Sequence, residues 1–239
     1  FGYGGNRAYA AWANTGGSTY LWSGVETVTQ TVTSNNAAVT MAPGASVDTS
    51  AGAGSAIVIS GDSSLSFTNL DGGSIVGASR GLDIQATNGL PAASIYVNAT
   101  QNFAGGTSGI YALNAGVGVT TINVAGASGT AGSGITTRVT NAANNGELRI
   151  TSTGTVSGGN TGLFAAHYGT GAVVVNTVAV DATAGGTGIF ARSYGTGLSV
   201  TASGTVAGAG NGIYTVHHGS SDTNINVVDV SAGTQSAIN

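Results

Sequence analysis

Residues 188–195 read Gly188-Ile-Phe-Ala-Arg-Ser-Tyr-Gly195, and two close copies of this segment occur in the chain. The copies are Gly162-Leu-Phe-Ala-Ala-His-Tyr-Gly169 and Gly212-Ile-Tyr-Thr-Val-His-His-Gly219. A repeat of this kind along most of a chain is typical of a solenoid. The Ile or Leu after the first glycine belongs to a column of apolar residues spaced 24 to 28 residues apart, which we call the anchor column: Ile57, Leu82, Ile110, Ile135, Leu163, Ile189, Ile213 and Ile238.

Each repeat contains three short segments of alternating residues that end at Gly, Asn, Ser or Thr. In one repeat they are Ile189 to Tyr194, Leu198 to Thr201 and Thr205 to Ala207. Segments this short favour strands over helices. Three short strands in a coil of about 26 residues predict an all-β fold, a right-handed parallel β-helix in which each strand pairs with its equivalent one coil away. A leucine-rich repeat has a similar period, but the nine Leu residues here are scattered and form no regular ladder.

The alternation within the first strand assigns its side chains to two faces. The anchor column and the column two residues later are mostly apolar or small, so we expect them to point inward. The column between them contains Asp83 beside aromatic residues and is expected to point outward, as is the column three residues after the anchor. The turn that follows carries a glycine in several repeats, and we expect a positive φ there: Gly116, Gly169, Gly195 and Gly219.

The composition indicates a folded protein with little charge. Gly accounts for 42 of 239 residues, yet 41% of residues are hydrophobic, and that much buriable surface can oppose the entropy of ordering. Five Arg, no Lys and nine acidic residues give a net charge of −4, so we expect neither nucleic-acid binding nor polybasic membrane binding. Cys is absent, which excludes disulfides and thiolate chemistry. The chain also lacks an apolar run long enough for a membrane helix.

The first 28 residues differ from the repeats, because they hold six of the chain's 15 aromatic residues. We therefore predict an aromatic-rich N-terminal cap at 1–28, with one or two helical turns between Asn6 and Ala13, followed by a parallel β-helix at 29–239. The sequence stops at Asn239, just after the last anchor residue, so we expect the native chain to continue C-terminally.

The repeated G-I-x-A-x-x-x-G, the alternating Val and Leu after it, and the S-G-T-V-x-G at 203–208 resemble the passenger domains of bacterial autotransporters. The resemblance covers about residues 29–239 and is clearest from Gly109 onward. Such passengers are typically right-handed β-helices displayed on the outer membrane or released from it, and many are adhesins. The resemblance therefore implies a location at the bacterial cell surface or in the medium, and binding to a protein or glycan on a host or neighbouring cell. It implies no insertion of this segment into the membrane.

Three patterns suggest catalysis or metal binding, and for each we favour a structural interpretation. Residues 77–81 match the G-x-S-x-G nucleophile elbow, but that elbow requires a helix after the serine, and we expect a turn between strands. His167 and His217 occupy equivalent columns two coils apart, about 10 Å, and we interpret them as polar core residues beside Asn114 and Ser193. The acidic residues are dispersed, unlike the paired carboxylates of glycosidases. We therefore expect no enzymatic activity, no metal and no cofactor.

The outward side of the first strand is the most informative surface. Exposed aromatic residues beside an Arg are typical of interaction sites. A repeating solenoid also produces aromatic ladders that only stiffen the fold. The sequence thus predicts an adhesin-type domain and leaves open a structural stalk that presents a distal domain, or a carbohydrate-active β-helix enzyme. The predicted partner-binding residues, which we call the aromatic patch, are Phe164, Tyr168, Phe190, Arg192, Tyr194, Tyr214 and His218.

Overall fold

The structure is a computed structural model that describes residues 13–16, 18–71, 73–88 and 93–239. These residues form 25 β-strands and no helix. The helical turns expected between Asn6 and Ala13 lie outside the described residues, apart from Ala13, which begins β1 (Ala13–Gly16). In the described part of the chain no helix of membrane-spanning length and hydropathy occurs.

Twenty-four of the strands stack in parallel to form a solenoid with three faces, and β1 pairs with β2 in the antiparallel sense. Face 1 comprises β4 (Gln30–Thr33), β7 (Ile57–Gly61), β10 (Arg80–Ala86), β13 (Ser108–Asn114), β16 (Ser133–Val139), β19 (Thr161–His167), β22 (Thr187–Ser193) and β24 (Ile213–His217). Face 2 comprises β2 (Thr19–Trp22), β5 (Ala38–Met41), β8 (Leu65–Asn69), β11 (Ile95–Ala99), β14 (Thr120–Val124), β17 (Leu148–Ser152), β20 (Val173–Thr177) and the first halves of β23 (Leu198–Gly208) and β25 (Thr223–Ala232). Face 3 comprises β3 (Val25–Glu26), β6 (Ser46–Asp48), β9 (Ile75–Gly77), β12 (Asn102–Gly105), β15 (Gly126–Gly129), β18 (Thr155–Gly158), β21 (Ala179–Ala182) and the second halves of β23 and β25.

The parallel β-helix predicted from the repeat is confirmed. Each coil contributes one strand to each face, and each strand pairs with the equivalent strand of the next coil, as Ile189 does with Leu163 and Ile213. The anchor residues from Ile57 to Ile213 are 0% exposed and form the inner side of face 1. Ile238 is the exception at 46% exposed, because it pairs with Ile213 through an isolated bridge and no described strand covers its other side.

Two details of the predicted strands differ from the structure. The first segment of the quoted repeat is β22, which ends at Ser193, one residue before the expected end. The second and third segments are not separate, since β23 runs unbroken from Leu198 to Gly208. The corner between faces 2 and 3 in this coil is made within β23, where the pairing register shifts between Ala202 and Thr205. The next coil makes that corner within β25 in the same way, whereas the preceding coils make it with a break between two strands.

Strand pairing begins before residue 29. β2 and β3 pair with β5 and β6 of the next coil. Trp22, on β2, is 0% exposed and belongs to the same hydrophobic core as the anchor residues. Most of the predicted aromatic cap lies outside the described residues, and the division of the chain at residue 28 stays a prediction.

The turn glycines are required by close packing between coils. The expected positive φ at Gly116, Gly169, Gly195 and Gly219 is wrong, since positive φ among the described glycines occurs at Gly24, Gly44 and Gly186. A Cβ on Gly195 would instead overlap the carbonyl oxygen of Gly171 on the preceding coil, and a Cβ on Gly219 would overlap that of Gly195. At Gly195 and Gly219 the backbones of successive coils therefore approach too closely for a side chain.

We expect Ile189→Asp to destroy the cooperative unfolding transition of the neighbouring coils. A buried carboxylate without a partner costs more than about 4 kcal/mol, and each coil depends on its neighbours for stability. Urea denaturation followed by circular dichroism measures the loss. Ser199→Asp, at an outward position of the next strand, is the matched control and should change the free energy of unfolding by about 0.5 kcal/mol or less. Equal stability of the two variants would contradict the inward assignment of the anchor column.

Gly195→Ala should lower the free energy of unfolding by about 1–3 kcal/mol, because the new methyl group overlaps the backbone of the preceding coil. Gly197→Ala, two residues away, is the control, since its Cβ would lie 3.9 Å from its nearest neighbours. That substitution should be neutral or stabilising by up to about 1 kcal/mol, through the unfolded state. Thermal melts of both variants test the comparison, and a tolerated Gly195→Ala would refute the packing explanation.

Candidate interaction site

The structure brings all seven residues of the aromatic patch together on face 1. Phe164, Phe190 and Tyr214 are register partners on β19, β22 and β24, and they point outward because the anchor residues before them point inward. Tyr168, Tyr194 and His218 follow the ends of the same three strands. Backbone hydrogen bonds fix this second row, as the amide of Tyr194 donates to the carbonyl of His167 at 3.1 Å.

The rings of the first row stack face to face along the solenoid axis. The ring centroids of Phe164 and Phe190 are 4.8 Å apart with an interplanar angle of 2°. The centroids of Phe190 and Tyr214 are 5.4 Å apart at 12°. The stacking follows from the parallel register, which places like positions of successive coils about 4.8 Å apart.

The second row stacks in the same way. The ring centroids of Tyr168 and Tyr194 are 5.6 Å apart at 25°, and those of Tyr194 and His218 are 4.4 Å apart at 23°. Tyr194 is 42% exposed, and His218 is also exposed. In each row the middle ring, Phe190 or Tyr194, has a stacked ring on both faces, which leaves its edge towards solvent. The edge of an aromatic ring carries the positive part of its quadrupole, so these rows present an edge that favours electron-rich groups.

Two arginines belong to this surface, and the sequence prediction included only one of them. The guanidinium of Arg192 lies 5.6 Å from the ring centroid of Phe190, and that of Arg138 lies 4.9 Å from the ring centroid of Phe164. Both arginines occupy the third column after the anchor, separated by the coil that carries Ala166. The sequence places Arg138 in that column, but Arg138 lies one coil before the three repeats that carry the aromatic residues.

The charges of these two arginines are not neutralised by a carboxylate. Among the described residues, ion pairs join Arg80 to Asp83 at 2.5 Å and Arg149 to Glu147 at 2.6 Å. No such pair involves Arg138 or Arg192 in that part of the chain, and the four face 1 strands from β16 to β24 contain no Asp or Glu. The part of face 1 formed by β16 to β24 is thus locally positive, although the protein has a net charge of −4.

The histidines have structural partners, and the core position expected for His167 is confirmed. His167 is 0% exposed, accepts a hydrogen bond at Nδ1 from the amide of Gly169 at 3.0 Å, and donates from Nε2 to the carbonyl of Gly146 at 2.8 Å. Burial lowers the pKa of His167, against the smaller opposing effect of these two hydrogen bonds. His217 is half-buried, with Nε2 3.2 Å from the carbonyl oxygen of Gly195. Over the described ranges, no group of three His, Asp or Glu side chains is arranged to hold a metal ion.

Ser79 of the G-x-S-x-G match lies in the expected turn between strands. The turn joins β9 to β10, and β10 is a strand where a nucleophile elbow requires a helix. The Ser79 hydroxyl lies 3.3 Å from that of Thr107 on the next coil, and Thr107 also donates to the carbonyl of Ser79 at 2.8 Å. The serine hydroxyl thus forms a pair with Thr107 that links two coils at this corner.

We expect the stability of the protein to fall as the pH is lowered through the titration of His167. Its pKa is depressed in the folded state, so the unfolded chain binds the proton first as the pH drops below about 6.5. The contribution of neutral His167 to the free energy of unfolding is therefore complete above that pH and is lost below it. This pH-dependent contribution should be absent from the His167→Asn variant. The substitution copies Asn114 of the same column, which accepts from the amide of Gly116 as His167 does from Gly169.

Urea denaturation at pH 7.5 and pH 5.0 measures the effect as a difference in the free energy of unfolding. His218→Asn is the matched control, because it removes an exposed histidine and leaves His167 in place. An identical pH dependence in His167→Asn and His218→Asn would contradict the assignment to His167.

Two stacked aromatic rows and two arginines without a carboxylate partner among the described residues thus lie together on one face of the solenoid. No protein-family model matches the chain, and no curated protein or solved structure is significantly similar to it.

Proposed function

We propose that this chain is a non-enzymatic binding domain, displayed on a bacterial cell surface or secreted, that attaches to its partner through the aromatic patch. The observation that carries the proposal is the pair of parallel aromatic stacks on three successive coils, with Arg192 between them. Aromatic and Arg side chains are the residues that most often dominate binding energy at protein interfaces. The resemblance of the repeats to autotransporter passengers supports the surface or secreted location and the adhesive role.

The ring geometry favours a protein partner over a glycan at this face. A pyranose stacks on the open face of an aromatic ring, and the faces of Phe190 and Tyr194 are covered by the rings above and below. The exposed ring edges and the two arginines suit carboxylates, carbonyls and the faces of aromatic side chains. The proposed partner is therefore a protein surface with acidic residues, on a host or neighbouring cell.

The stalk remains the second candidate, because the same stacks join neighbouring coils. Each aromatic pair contributes about 0.5–1.5 kcal/mol beyond the area that it buries, so the rows stiffen the solenoid whether or not a partner binds. A stalk would use that stiffness to hold a distal domain away from the membrane. The two functions separate experimentally, since only an adhesin loses binding when the patch is removed.

Replacement of Phe190, Arg192 and Tyr194 together by Ser should abolish most binding to cultured host cells and to immobilised matrix proteins, with at least about a tenfold loss of affinity. The variant should stay folded but lose about 2–6 kcal/mol of stability, because Phe190 and Tyr194 each stack on two rings and each such pair contributes about 0.5–1.5 kcal/mol. Binding is measured by surface plasmon resonance and by counting attached cells.

The matched control replaces Tyr111, Leu113 and Ala115 by Ser. These residues occupy the same three columns of face 1, three coils below Phe190, Arg192 and Tyr194. The control should bind as the unsubstituted protein does. Undiminished binding by the folded Phe190, Arg192 and Tyr194 variant would exclude the aromatic patch and support the stalk.

A further inference from the structure

Face 2 carries a column of outward residues made only of Thr and Asn. It begins in the second coil and continues without interruption for eight coils, which is about 34 Å at the usual strand spacing. The adjacent outward column of the same strands is mixed and includes Ala38, Tyr96, Arg149 and Val174. We call the uniform column the Thr/Asn ladder: Thr40, Thr68, Asn98, Asn123, Thr151, Asn176, Thr201 and Asn226.

The polar groups of the ladder are not used by the fold. None of its eight side chains hydrogen-bonds to another residue that the structure describes. Elsewhere in the solenoid the amides are used, as Asn144 donates to the carbonyls of Gly116 and Gly118 at 2.7 and 2.9 Å. An Asn amide has two donor hydrogens and a carbonyl acceptor, and a Thr hydroxyl donates and accepts. The ladder therefore offers an unbroken line of donors and acceptors to an external ligand.

A shallow groove and an open aromatic ring adjoin the ladder. Asn98, Asn123 and Thr151 form one side of the groove, and Thr100 and Thr153 also line it. Tyr96 lies two residues before Asn98 on the same face and is 42% exposed. In contrast to the rings of the aromatic patch, Tyr96 stacks on no other ring in the described ranges, so no aromatic ring covers its faces. An open ring beside amide groups is the arrangement that accepts a sugar, whose C–H groups contact the ring while its hydroxyls bond to the amides.

The charge on this face points to an uncharged ligand. The ladder contains no ionisable group, and Arg149 in the adjacent column is paired with Glu147 through two hydrogen bonds of 2.6 and 3.0 Å. An anionic ligand would have to compete with this carboxylate for the arginine. The length of the ladder favours a polymer over a small molecule, and the repeat of an extended pyranose chain is close to the spacing of the coils.

We propose that the Thr/Asn ladder binds an extended, uncharged, β-linked polysaccharide that lies along the solenoid axis. The ladder supplies hydrogen bonds to the sugar hydroxyls, and Tyr96 stacks on one sugar ring. This site is on face 2 and is independent of the aromatic patch on face 1.

Isothermal titration with cellohexaose and affinity electrophoresis in hydroxyethyl cellulose test the proposal. We expect saturable binding of the two cellulose probes. Dextran, a flexible α-linked glucan, and polygalacturonate, an anionic polymer, should bind much more weakly. An apolar variant with Asn123→Leu, Thr151→Val and Asn176→Leu should bind roughly tenfold more weakly or worse, since three hydrogen-bonding rungs are removed. A swapped variant with Asn123→Thr, Thr151→Asn and Asn176→Thr keeps a polar group at each rung and should stay within about threefold of the unsubstituted protein.

Two further variants keep the test decisive. Tyr96→Ser changes one exposed side chain, so it should fold even where the apolar variant does not, and it should weaken binding by roughly fivefold. The Phe190, Arg192 and Tyr194 variant should bind cellohexaose unchanged, which separates this site from the aromatic patch. The proposal is overturned by no binding to either cellulose probe, by equal binding of the Tyr96→Ser and unsubstituted proteins, or by binding to polygalacturonate alone. Inhibition of ice growth without binding to glycan would identify the ladder as a template for ordered water and would also overturn it.

Discussion

The in-register pairing of every strand with the same strand one coil away is the constraint on which the whole molecule depends. It converts a linear repeat into columns, so that a position that points inward in one coil points inward in all of them. Leu163, Ile189 and Ile213 form a continuous core for this reason. Phe190 and Tyr214, one residue further along the same strands, form a continuous outer row. Core and surface are thus two consequences of one register.

The same constraint explains why several coils of this protein need glycine where the backbone turns. Hydrogen bonding holds neighbouring coils about 4.8 Å apart, and that distance is the same at a corner as along a face. Where the backbone turns, the atoms of one coil lie directly over those of the next, and a Cβ on Gly195 or Gly219 has nowhere to go. The abundance of glycine in this chain therefore reflects tight stacking more than unusual backbone angles.

Much of face 1 could be predicted from the sequence, because its anchor residues are large, apolar and regularly spaced. The alternation next to Ile189 was sufficient to place Phe190 and Arg192 outside and to predict that the aromatic residues would lie together. Ile238 was misassigned because burial depends on a covering strand, which a periodic pattern does not reveal. The Thr/Asn ladder was missed for a different reason. The connection from face 1 to face 2 varies in length from coil to coil, so counting from the anchors does not align face 2. Only the strand pairing shows that Asn123 and Thr151 belong to one column.

The direction of the hydrogen bonds between coils has a mechanical consequence. These bonds run along the solenoid axis, and each coil is held only by its two neighbours. A load applied along the axis therefore pulls the bonds of one coil boundary at a time, and the coils detach in sequence from the loaded end. Each detached coil of about 26 residues releases up to about 90 Å of extended chain. Under tension between two attachment points, such a domain lengthens in steps. Each step dissipates work while the remaining coils stay folded.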